Sequence, residues 1–188
     1  MSIKNGILTV LALSLIASAV QTVKAVDTNT STTTLSLGIP EVSLLKVSAG
    51  VINLSLLQRN AGQSIETSKS DSTTRLLVTS VIRTTNRTLT AKITSGTVPT
   101  GTLLKLVAKQ PNASFIGTAS TLGAEVTLDA TDRAVVTNIG TCYSGTAASD
   151  GYPLRFTYAL DSNTATYSSL RANSGVTIIV TLTMTAAQ

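Results

Sequence analysis

The chain has no histidine, one cysteine and nine carboxylates among its 188 residues, and this inventory limits its chemistry. Without histidine it lacks the commonest general base and metal ligand. Ser-His-Asp and Cys-His nucleophiles are excluded, as are zinc sites built on His or paired Cys. A carboxylate pair, as in glycoside hydrolysis, is the remaining catalytic option. The nine acids are Asp27, Glu41, Glu66, Asp71, Glu125, Asp129, Asp132, Asp150 and Asp161, and most fall among turn-forming residues. Glycosidase clefts are usually lined with Trp or Tyr. Here there is no Trp, and Tyr143, Tyr152, Tyr158 and Tyr167 are the only tyrosines. Asp129 with Asp132, and Asp161 with Asn163, bring oxygens close in sequence, yet neither spacing matches an EF-hand loop. Asp and Asn are expected at turns for backbone reasons alone. The expectation is a non-enzymatic protein without cofactor or metal.

The lone Cys142 cannot form an intramolecular disulfide. It is expected to be a small buried hydrophobe, since free Cys is among the most buried residue types. Around it the composition points outward from the cell. Residues 1–25 read as a cleaved signal peptide: Lys4 gives a positive n-region, residues 7–20 are almost entirely apolar, and Val23-Lys24-Ala25 precedes the expected cut. The apolar run of about 14 residues is short of the roughly 20 that span a bilayer as a helix. The remaining 163 residues are expected to carry no membrane span.

They hold twelve Lys and Arg against nine Asp and Glu, a net +3, with the basic residues scattered singly. No basic run and few aromatics are offered to a nucleic acid, so no nucleic-acid partner is expected. Threonine is the compositional outlier, with 33 in the chain. It is β-branched and favours extended backbone. Low charge with abundant Thr, Ser, Val and Leu describes an extracellular all-β protein.

The pattern along the chain agrees. Residues 26–34 (VDTNTSTTT) form a polar leader, and residues 35–188 form one domain. Leu35, Leu37 and Ile39 alternate with Ser36 and Gly38, a period-2 strand signal ended by Pro40. Further strands are expected over 42–47, 51–57, 75–83, 88–95, 102–109, 125–129, 134–139, 153–160 and 176–185. A long polar connection over 58–74 and a second loop over 140–151 interrupt them. The segments 75–83 and 88–95 are expected to pair as a hairpin. About nine or ten short strands and no helix after the signal predict an immunoglobulin-like Greek-key β-sandwich, with a closed barrel as the alternative.

The alternating arm Leu35, Leu37 and Ile39 behind a flexible leader has the form of a donor strand. In donor-strand complementation, main-chain hydrogen bonds give affinity and alternate side chains fill pockets. The same arm can equally pair within its own domain. The chain resembles the secreted β-sandwich subunits of bacterial surface fibres in its signal peptide, low charge, Thr/Ser/Val-rich strands and alternating N-terminal arm. It departs from chaperone–usher pilins in lacking paired cysteines and a C-terminal tyrosine motif. Gly38-Ile-Pro-Glu-Val42 and Ile139-Gly-Thr-Cys-Tyr143 look like segments of exported Bacteroidota-type proteins. The resemblance implies a structural or adhesive protein at the cell surface, most simply a pilin-like subunit that binds copies of itself by strand addition. The alternative is a secreted module binding carbohydrate or another surface ligand.

Overall fold

The computed structural model describes residues 30–48, 50–162 and 167–186. The expected signal peptide and residues 26–29 of the leader lie outside them. The chain divides into Met1–Leu37 and Gly38–Gln188, and among the described residues every strand lies in the second unit. In the first, residues 30–37 are exposed and belong to no ladder.

Twelve strands are assigned among the described residues: β1 Val42–Val47, β2 Ser68–Asp71, β3 Arg75–Val81, β4 Arg87–Ser95, β5 Thr102–Ala108, β6 Ile116–Gly117, β7 Thr121–Leu122, β8 Val126–Thr127, β9 Arg133–Ile139, β10 Cys142–Tyr143, β11 Tyr152–Leu160 and β12 Ile179–Ala186. Four of them (β6, β7, β8 and β10) are only two residues long. The fold is all-β, with two antiparallel sheets.

The larger sheet runs β6-β10-β3-β11-β5-β8, with β1 on the far side of β3 and β2 beside β11. The smaller sheet runs β12-β4-β9-β7. The two share one core, because the inward residues of each strand are apolar and spaced by two. Leu76 and Val78 of β3, Leu104 and Leu106 of β5, and Tyr152, Leu154 and Phe156 of β11 come from the larger sheet. Leu89 and Ala91 of β4 and Val135, Val136 and Ile139 of β9 come from the smaller one. This is a β-sandwich-like arrangement.

Three expectations are corrected. The predicted hairpin of 75–83 with 88–95 does not form, because β3 and β4 lie in different sheets. The intervening Thr84-Thr85-Asn86 has no glycine to supply the positive φ of a tight hairpin turn, and the chain crosses the sandwich there. The connection over 58–74 is not wholly irregular, since β2 (SKSD) pairs with β11 opposite Phe156 to Ala159. Its polar residues hid it, being three-quarters exposed with no apolar alternation. Residues 51–57 keep the predicted alternation, with Ile52, Leu54 and Leu56 half-buried, but form no ladder.

Local chemistry shapes the junctions. At the end of β4, Gly96 has φ +83°, and a Cβ there would lie 2.3 Å from the Thr177 carbonyl oxygen. Only glycine lets the approach to β12 come so close. Tyr152 is fully buried, with its hydroxyl 2.8 Å from Ser120 Oγ and its ring edge-on to Phe115 at 5.6 Å. The hydroxyl therefore has the partner a buried phenol requires.

Leu106 is completely buried in this shared core. Leu106→Ala is expected to destabilise the fold by about 2–5 kcal/mol, the range for a buried leucine cavity. A urea titration followed by far-UV circular dichroism measures it.

Candidate functional site

Pro40 and Glu41 join the arm to β1. Arg87, the first residue of β4, points into the sandwich and is only 7% exposed. A buried guanidinium is costly unless paired. Its Nη2 donates to Glu41 Oε1 in an ion pair between a buried and a half-exposed side chain. Arg87 Nε has no partner among the described residues. The carboxylate that leads into β1 in one sheet is thus fastened to the start of β4 in the other. Arg87 also sits opposite Ala186 at the end of β12 and Ile139 at the end of β9. One corner of the sandwich therefore gathers the chain's entry into β1, the start of β4 and the end of β12.

From this corner the arm residues Leu35, Leu37 and Ile39 are 78%, 93% and 86% exposed. Among the described residues strand structure begins at Val42, and the expected strand over 35–39 belongs to no ladder. Pro40 is the physical reason for the break. It has no N–H to donate, and its φ near −65° cannot supply the positive φ of a two-residue hairpin turn. The arm cannot fold tightly back along the outer edge of β1.

Two edges are open near the corner. Among the described residues β1 pairs only with β3, and β12 only with β4. β1 exposes Leu44 and Val47 and carries Lys46. β12 reads IVTLTMTA, with Val180, Leu182 and Met184 packed against the core but only partly covered. Charged pairs occupy other places. Lys92 meets Asp132, Arg133 meets Asp129, and Arg155 meets Glu125.

Cys142 lies in β10, between Ser80 of β3 and Gly117 of β6, and is 4% exposed. Burial pushes its thiol above the usual range. The thiolate is the reactive form, so this cysteine is chemically quiet.

Asp129, Asp132 and Asp150 each hold local structure. Asp129 closes its turn by accepting from Arg133 and from the Thr131 backbone and hydroxyl. Asp132 accepts from Lys92 Nζ at 2.9 Å and from Thr90. The buried Asp150 accepts from Asn112 Nδ2 at 2.9 Å and from the Ala147 N–H at 2.7 Å. It organises the loop between β10 and β11. In that loop Ser144 Oγ accepts the Val78 N–H at 2.8 Å and extends the ladder of β3 by side chain. Among the described residues no three His, Cys, Asp or Glu side chains gather as metal ligands, and no helix is long and apolar enough to cross a membrane.

Of the tyrosines considered for sugar stacking, Tyr143 is 52% and Tyr167 43% exposed, while Tyr152 is core. Sequence reasoning did not find Arg87. Its partner lies 46 residues away, and a single arginine opening an alternating strand looks like any solvated terminus. The chain matches no family model, no curated protein and no solved structure.

Two predictions concern these contacts. Glu41→Ala is expected to cost about 1–3 kcal/mol, the cost of leaving the buried Arg87 guanidinium unpaired, whereas Arg87→Ala leaves only the half-exposed Glu41 without its partner. The double variant should cost less than the two single losses added, since the residues act as one unit. Urea midpoints of the four proteins complete the cycle.

The second concerns acid. Asp150 is held below 3.8 by its Asn112 and Ala147 hydrogen bonds, Asp132 chiefly by Lys92, and Asp129 chiefly by Arg133. Folded values below the unfolded one mean that the stabilisation is complete above 3.8 and is lost as pH falls through the folded values. The urea midpoint should therefore drop between neutral pH and about pH 2, and Asp150→Asn should drop less over the same span.

Proposed function

We propose that this chain is an exported, non-enzymatic subunit of an extracellular bacterial fibre, built from copies joined by strand addition. On this reading the sandwich has an immunoglobulin-like Greek-key arrangement. Support comes from the repeated crossings between sheets, at β3 to β4, β4 to β5, β8 to β9 and β11 to β12.

One observation carries the reading. Leu35, Leu37 and Ile39 form an alternating, uncharged arm that is almost fully exposed and belongs to no ladder. Each such side chain gains about 1.5–3 kcal/mol on full burial. Isolated exposed leucines are ordinary, but three at period 2 have the spacing of an added strand. The domain supplies rigid edges and the arm supplies the joint. The absence of histidine and the structural use of the carboxylates favour assembly over catalysis.

The test compares the chain from residue 26 with one from residue 40. The longer protein is expected to form linear polymers by negative-stain microscopy and to elute as large species from size exclusion. The shorter should be a monomer with the same far-UV spectrum. A longer protein that stays monomeric at high concentration, or a shorter one that polymerises equally, contradicts the proposal.

A further inference from the structure

The donor arm needs an acceptor, and β1 and β12 are the long open edges near Glu41, since the other terminal strands β2, β6, β7 and β8 are only two to four residues long. The two long edges differ in how they are guarded. Natural edge strands carry lysines, prolines, bulges or inward charges that discourage pairing with another chain. β1 is six residues long and carries Lys46. β12 is eight residues long, and residues 176–186 (VTIIVTLTMTA) contain no charge, no proline and no glycine. Its one irregularity, at Ile179/Val180, comes at its start and leaves Thr181 to Ala186 in regular register with β4. An uncharged, unguarded edge of this length is a template for a further strand.

Its inner face is also unfinished. Val180, Leu182 and Met184 pack against the core yet remain partly open: β1 of the other sheet approaches β12, but no strand is hydrogen-bonded beyond it among the described residues. They repeat every second residue, as do Leu35, Leu37 and Ile39. A strand laid along β12 with these three turned inward would extend the sheet and cover that row.

The topology indicates whose arm this is. The Glu41–Arg87 ion pair holds the root of the arm at the corner where Ala186 faces Arg87. An arm reaching its own β12 from that corner would have to reverse at Pro40 and Glu41. It would then run parallel to β12, because both segments lead toward the same corner. Among the described residues every ladder is antiparallel, and parallel pairing is slightly less stable per residue. An arm from another molecule has no such tether and can enter antiparallel.

We propose that the open edge of β12 receives the Leu35–Ile39 arm of a second copy as an antiparallel strand. The proposal rests on the strand-addition reading above. Donor and acceptor are different segments of the chain, so the contact is heterologous. Repeated, it grows a filament instead of closing a dimer.

The experiment pairs two defective copies. One starts at residue 40 and lacks a donor. The other keeps the arm and carries Thr181→Lys with Thr183→Lys, placing two charges on β12. A second blocked copy, Thr183→Pro, provides a different lesion, and far-UV spectra and urea midpoints identify blocked copies that fold. Each copy alone should be monomeric, and an equimolar mixture should give a one-to-one complex that does not grow. If the blocked copies still polymerise while the donorless copy does not, strand addition stands and β12 is not the acceptor. If the donorless copy dimerises alone and the β12 charges abolish it, β12 pairs with itself and the proposed occupant is wrong. If the donorless copy polymerises normally, strand addition itself fails.

Discussion

The ion pair between Glu41 and Arg87 joins the two sheets at the point where the chain enters the domain. Arg87 is carried inward by the alternation of β4, in the position that Leu89 and Ala91 occupy further along. An apolar side chain there would fill the space more cheaply, because burying a charge costs more than burying methylenes. What the pair adds is position. It holds Glu41, and with it Pro40, at one corner of the sandwich. Pro40 then denies the arm the tight turn back along β1. Two adjacent residues, each acting through a different physical effect, leave the arm outside its own domain's ladders.

The distribution of charge follows the same logic. The ion pairs Lys92–Asp132, Arg133–Asp129 and Arg155–Glu125 lie around β4, β9, β5 and β11. The arm and β12 carry none. Surface pairs of this kind contribute little stability. Their placement instead keeps the outer faces solvated and leaves two segments whose pairing is opposed by neither charge nor proline. The loop organised by Asp150, and the side-chain ladder through Ser144, stiffen the opposite part of the larger sheet without offering an edge.

Much of the β architecture was legible from period-2 alternation. β3, β4, β5, β9 and β11 all lie where apolar residues alternate, and their inward residues form the core. Pairing was less legible. Alternation says which face is buried but not which neighbour is hydrogen-bonded, so adjacent strands 75–83 and 88–95 looked like a hairpin while the chain was crossing between sheets. β2 was invisible because its ladder is made by polar residues that bury almost nothing. At the candidate site, the alternating arm could be read directly. Arg87 could not, since its role depends on a carboxylate distant in sequence and on the inward face of a strand that begins with it.

Hydrogen–deuterium exchange on the chain from residue 26, before and after assembly, tests the central claim most directly. The account predicts that amides of residues 35–39 exchange as unstructured chain in the monomer. They should become protected in the assembly, together with amides of residues 180–186. Protection of residues 35–39 already present in the monomer would show that the arm pairs within its own domain and would contradict the account.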